Sequence, residues 1–293
     1  MKRYAMIILF FMIALTGCSN DSLDNRVYTQ GLGISSGNGF TLTFQRFEDT
    51  NSHTVHAENF SDAVRRQESM MGGEIFTGHT ELLCIDRSHT VEHMQELFYQ
   101  QWIPPDCKVI FTNPEDFLQN YDCTQMVHTI RMAEENGILP LTDLSTVLNE
   151  WMGMGETALM PVPAGNLPAL VLMHKDGNAL RLSEEAIRGM YWLRESGKKD
   201  ICFHGKEISV KVLRLKKNYK NGMLCYSLTM KISDDVPEVR DMILSDCEKA
   251  IQEMRSVNAD VINIQEVMQK YHLETVPEIS AEVHTITGKE LLQ

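Results

Sequence analysis

The hydrophobic pattern of the chain changes period repeatedly, and each change predicts an element. Phe40, Leu42 and Phe44 alternate with Thr41, Thr43 and Gln45, which is the period of a half-buried strand. Before them, 26–34 reads as a first strand and 35–39 as a turn. A polar loop to residue 59 follows, then a helix over 61–71 closed by Gly72 and Gly73. Residues 75–85 read as one buried strand in which Gly78 marks a bulge or a close backbone approach. Ser88 opens a helix to about 102, which Pro104 and Pro105 stop. A strand over 107–111 and a short helix from Pro114 complete an N-terminal α/β domain over 26–121.

Met126, Val127, Ile130 and Ala133 then recur at helical spacing, and Leu144, Val147, Leu148 and Trp151 mark a further helix. The three prolines within 160–168 predict a linker. Residues 122–165 are therefore expected to be a reduced helical middle region with its linker, and 166–293 a C-terminal α+β domain. In that domain, strands over 169–174 and 179–182 flank Asp176 and Gly177, and Ser183 begins a helix to 193. Ile208, Val210 and Val212 alternate with polar residues, as do Leu224, Tyr226, Leu228, Met230 and Ile232 after Asn221 and Gly222, which predicts a hairpin. Pro237 starts a long helix with Met242, Ile243, Cys247, Ile251 and Met254 inward. A helical stretch over 260–271 and a strand over 279–286 close the chain. The fold class is α+β, with mixed sheets flanked by helices in two or three domains.

The first residues carry a different signal. Lys2 and Arg3 precede an apolar run over 4–15, which is shorter than the ~20 residues a spanning helix needs. Small residues Thr16 and Gly17 then stand directly before Cys18, the pattern of a bacterial lipoprotein signal. On this reading 1–17 are removed, Cys18 is acylated, and 18–25 tether an outward-facing head to the lipid bilayer. Two or more acyl chains hold such a head stably where one does not. Lys2 and Arg3 leave with the signal, so 25 basic residues face 40 acidic ones and the mature balance is −15. Such a charge argues against nucleic acid and against anionic lipid as ligands.

Candidate chemistry is sparse. No G-x-S-x-G, H-E-x-x-H, Walker loop or dinucleotide fingerprint occurs, and Gly31-Leu32-Gly33 lacks a third glycine. No catalytic residue, metal site or cofactor is expected. His89 and His93 lie one helical turn apart and read as a solvated face. His79 reads as a structural histidine on an apolar strand. Six cysteines remain besides Cys18; export would let them pair, but most stand in apolar surroundings and read as small buried hydrophobes.

The order of these features resembles the Ger(x)C family, the lipoprotein C subunits of nutrient germinant receptors in spore-forming bacteria. The likeness rests on Ile75-Phe76-Thr77-Gly78-His79 before an apolar run, and on a strand and short helix over 108–118. It continues through Arg188-Gly189-x-x-Trp192-Leu193, Asn258-Ala259-Asp260-Val261 before a helix, and Thr287-Gly288 at the close. Ser19 stands where the family has Trp-Asp, and 119–165 and the end after 271 are shortened. The resemblance implies a non-enzymatic lipoprotein on the outer face of the spore inner membrane. It also implies a transporter-like membrane subunit and a second membrane subunit as partners. Gly78, His79, Arg188, Gly189, Trp192 and Asp260 become structural or partner-contact candidates. Two other classes suit an exported lipoprotein. A solute-binding protein would show a pocket between two lobes, and an envelope hydrolase would need a thiol within hydrogen-bond reach of a histidine.

Overall fold

The computed structural model describes residues 26–286 except 38, 48, 50, 87–93, 96–97, 99–102, 154, 165–167, 195–197 and 234–235. Cys18, Thr287 and Gly288 lie outside the described residues, as does most of the helix expected from Ser88. The fold is α+β, with three mixed or antiparallel sheets and helices packed against them.

The first sheet has six strands: β1 (Arg26–Gly37), β2 (Gly39–Arg46), β3 (Ser52–Ala57), β4 (Glu74–Phe76), β5 (Leu82–Ile85) and β6 (Lys108–Phe111). Their order is β3-β2-β1-β5-β6, with β4 pairing in parallel with the start of β1. The polar loop expected before residue 59 contains β3. Its alternation is faint because Val55 is its one fully buried apolar residue, and the strand pairs along the outer side of β2. The single strand expected over 75–85 is two, β4 and β5, separated by a turn in which the Thr80 N–H donates to the Thr77 carbonyl at 2.9 Å. Gly78 and His79 therefore lie in an exposed turn rather than in a core strand.

Both faces of this sheet are covered, and the strand alternation sorts the side chains between them. Leu32, Ile34, Leu83, Ile85 and Val109 point to one core, with α1 (Phe60–Met71) and α4 (Leu144–Met152). Leu82, Cys84 and Ile110 point to the other, with α2 (Pro114–Asn120) and α3 (Cys123–Glu135). The glycines of the Gly31-Leu32-Gly33 segment make room on that second face. A Cβ at Gly31 would meet the Cys123 sulfur at 2.3 Å, and one at Gly33 would meet Pro114 Cβ at 2.5 Å. Buried Gln45 fastens the junction of α2 and α3. Its Nε2 donates to the Leu118 and Tyr121 carbonyls at 3.0 and 3.1 Å, and its Oε1 accepts from Cys123 N at 3.2 Å.

The stretch expected as a linker begins inside a strand, which holds residues 160–162. β7 (Thr157–Val162) pairs antiparallel with β8 (Ala169–His174), which pairs with β9 (Ala179–Arg181), so one sheet spans residue 165 where a boundary was expected. Pro161 is tolerated because β7 is an edge strand. This sheet is an adapter between cores: Ala158, Met160, Val171 and Met173 face the first core, while Leu159, Leu170 and Leu172 face the C-terminal one.

The third sheet runs β10 (Lys198–Phe203), β11 (Lys206–Lys220), β12 (Met223–Ile232) and β13 (Glu278–Ile286). Two hairpins build it. Asn221-Gly222 and His204-Gly205 both place two consecutive residues at positive φ (54° and 82°, 49° and 77°), the backbone of a two-residue turn matched to strand twist. The second turn hides in the sequence because histidine is an uncommon first residue. β13 then returns parallel to β12 after α6 (Pro237–Ser256) and α7 (Ile264–Lys270). α6 and α5 (Glu184–Arg194) cover one face of this sheet. The buried stripe of α6 is Val239, Ile243, Asp246, Cys247, Ala250, Ile251 and Met254; Met242, expected inward, is half-buried at its edge.

Candidate functional site

Arg188, Gly189 and Trp192 all lie on α5, where it crosses α6. Gly189 lets the backbones touch: a Cβ there would sit 2.0 Å from the Asp246 carbonyl oxygen. Directly beside it, the Arg188 guanidinium grips the carboxylate of the same Asp246 with two bonds, Nε to Oδ2 at 2.9 Å and Nη2 to Oδ1 at 2.8 Å. Burial pushes the Asp246 carboxyl up, and the guanidinium opposes it. Trp192 is 1% exposed and fills the core beneath. This constellation is a clamp between helices. The position of Asp246 was legible in principle, since it lies three residues from Ile243 on the same stripe, but an acid there reads as surface until its arginine is known.

Lys199 completes the clamp and was not singled out by sequence. It is 6% exposed, with Nζ 4.7 Å from the Tyr191 ring centre and 5.2 Å from that of Trp192. Burial, reinforced by Arg188, lowers its ammonium to about 8, with Asp246 pulling the other way. A lysine lowered on folding holds its proton less tightly than the unfolded chain does, so it opposes folding while charged. Stability should therefore rise as pH climbs from about 8 towards the unfolded value of 10.5. Lys199→Met is expected to stabilise the protein at pH 7 by on the order of 2 kcal/mol, the gain fading near pH 10. Urea melts across that range measure it; a gain independent of pH would contradict the assignment.

Asp260 caps α7. Its Oδ1 accepts from Ile264 N at 2.8 Å and its Oδ2 from Gln265 N at 2.7 Å. It borders a cleft of about 750 Å³ with Glu150, Arg194 and Lys217. These groups are engaged with one another or with backbone, except Lys217, which reaches Glu266 at 4.0 Å. Arg194 pairs with Glu150, which also accepts from Leu159 N at 2.8 Å, and burial raises Glu150 to about 7 against both attractions. The cleft thus reads as a seam between α4 and the C-terminal elements β11 and α7.

The buried thiols are unsuited to nucleophilic work. Cys84, Cys107, Cys123 and Cys247 are buried and unpaired, and burial pushes each thiol up, Cys123 to about 12. Cys202 is free and exposed. Among the described residues, no three His, Cys, Asp or Glu side chains gather as a metal site would require.

Gly78 and His79 belong to a different feature. His79 stacks near Tyr28 and Phe76, with ring centres 5.7 and 5.3 Å apart, and the Tyr28 and Phe76 rings meet edge to face at 5.6 Å. The Arg26 guanidinium lies 5.4 Å from the Phe76 ring centre. A Cβ at Gly78 would press the Phe76 ring at 2.7 Å, so glycine keeps that ring folded over the turn. His79 is exposed and its three neighbours are half-buried, which leaves an accessible aromatic knot beside the first residues of β1.

Residues 20–163 match the family described as Spore germination protein N-terminal domain, a span that includes the knot and the whole first sheet. The crystal structure of the GerBC protein is similar at 10% identity, covering 88% of this chain and 97% of that one with a TM-score of 0.49. No curated protein matches. The matched segment carries the Ile75–His79 motif as well as the sheet built around it, and residues 20–163 are thus similar to the N-terminal domain of spore germination proteins, in line with the Ger(x)C resemblance of the sequence.

Proposed function

We propose that the protein is a lipid-anchored, non-enzymatic subunit of a nutrient germinant receptor. It acts by contact with a transporter-like membrane subunit and a second membrane subunit on the outer face of the spore inner membrane. The observation that carries this reading is the family match over 20–163, which contains the accessible Tyr28–Phe76–His79 knot. Aromatic rings beside an arginine are the usual anchors of protein interfaces. The knot opens the first strand, and residues 18–25 reach at most ~29 Å however they run, which keeps it near an acylated Cys18. Among the described residues no helix is long and apolar enough to cross a membrane.

Two expected results test the reading. Cys18→Ala should move the protein out of the membrane fraction or leave its signal uncut; membrane retention with normal processing would contradict the anchor. His79→Glu changes an exposed side chain, so folding should hold while recovery of the membrane subunits with the tagged protein falls by roughly tenfold, the scale of one interface anchor. Undiminished recovery would remove the knot from the contact surface.

A further inference from the structure

We infer that the open face of the C-terminal sheet is a docking surface for the phosphate headgroups of an anionic bilayer, an inference that rests on the lipid anchor proposed at Cys18. α5 and α6 cover only the inner face of this sheet. The register fixes what the outer face presents. Lys198 pairs with Lys211 and Lys211 with Lys231, so three exposed ammonium groups lie side by side across three strands. A bulge between Val212 and Arg214 then brings Arg214 outward, and Lys216 and Lys220 follow at alternate positions, all exposed.

Lys198 pairs with Asp200 at 3.4 Å, whereas Lys211, Arg214, Lys216, Lys220 and Lys231 form no ion pair among the described residues. Like charges directly opposite on neighbouring strands repel. Lys211 and Lys231 do not guard a free edge, since each has a paired strand on both sides, whereas Arg214, Lys216 and Lys220 stand where β11 pairs with β12 alone. The net charge of −13 hides the stripe, and the nearest acids flank it, Asp200 and Glu207 at the β10 end and Glu278 and Glu282 on β13.

Shape and chemistry select the partner. The stripe is an open sheet face carrying cations on long flexible stems, which suits a plane of phosphates. Leu213, 42% exposed at the bulge, offers an apolar contact beside Arg214. Each such attraction is weak and screened by salt. A short tether makes the contact effectively intramolecular, so a weak attraction is enough to set how the head lies.

The test uses the full, natively processed protein in vesicles of phosphatidylcholine, alone or mixed with phosphatidylglycerol. A water-soluble amine reagent is applied and each lysine read by mass spectrometry. Lys211, Lys216, Lys220 and Lys231 should label roughly threefold less or lower in anionic vesicles at low salt, while Lys270 on α7 is unchanged. High salt, neutral vesicles or the K211E/K216E variant should abolish the protection. A protein that floats with both vesicle types yet labels alike keeps the anchor and overturns the inference. One that floats, protected, only with anionic vesicles overturns the anchor and supports the inference. Flotation with neither overturns both. Protection that requires the receptor's membrane subunits would assign the stripe to an acidic protein and overturn the inference.

Discussion

Gly189→Ala is expected to destabilise the C-terminal half by at least ~3 kcal/mol, lowering its melting temperature by roughly 6–12 °C. In an ordinary helix the same change helps by up to ~1 kcal/mol, so the sign itself is diagnostic. The new methyl would stand 2.0 Å from the Asp246 carbonyl oxygen, 2.5 Å from its carbonyl carbon and 2.8 Å from Ala250 Cβ. Two of those obstacles are backbone, so no rotamer change relieves the clash and α5 must lift from α6. Lifting stretches the Arg188–Asp246 fork and loosens Met190, Cys247 and Ala250, all fully buried. Thermal unfolding followed by circular dichroism measures the effect; a melting temperature within about 2 °C of the parent's would show that the helices do not touch here.

The second large effect is expected at Glu134. Its carboxylate receives the Lys108 ammonium at 2.6 Å, with side-chain exposures of 7% and 8%. It also accepts from Thr142 N and Oγ1, both at 3.0 Å. Glu134→Ala leaves a buried ammonium and a buried N–H without partners, which costs about 3–5 kcal/mol. Replacing both charges, Lys108→Met with Glu134→Leu, should recover more than half of that loss, since the desolvation of two ions disappears with them. Chemical denaturation of the single and double variants checks this. A double variant as unstable as the single one would place the loss in packing.

Much of the fold is written in local patterns. The long helix from Pro237 and the Asn221-Gly222 hairpin need only apolar spacing and two turn residues to be read. What escaped depends on distant partners. Met160 looks like part of a proline-rich linker until β8 pairs beside it. Gly31 and Gly33 look like a broken nucleotide loop until α2 and α3 lean on them. The site divides the same way. Arg188, Gly189, Trp192 and Asp260 stood out in the sequence, but their work is structural, a clamp and a helix cap. Lys199 and Asp246 give that clamp its charge, and a lone lysine or aspartate carries no local mark of burial. Gly78 and His79 were placed in a strand because the turn between β4 and β5 contains no proline and its neighbours are apolar.

The central claim is that this chain works as a membrane-held receptor subunit through contact. The most direct measurement is affinity purification of the tagged full-length protein from spore inner membranes, with the stoichiometry of what accompanies it. The account predicts that two membrane subunits are recovered with it in a fixed ratio. Recovery of the chain alone, from spores that still germinate normally on nutrients, would contradict it.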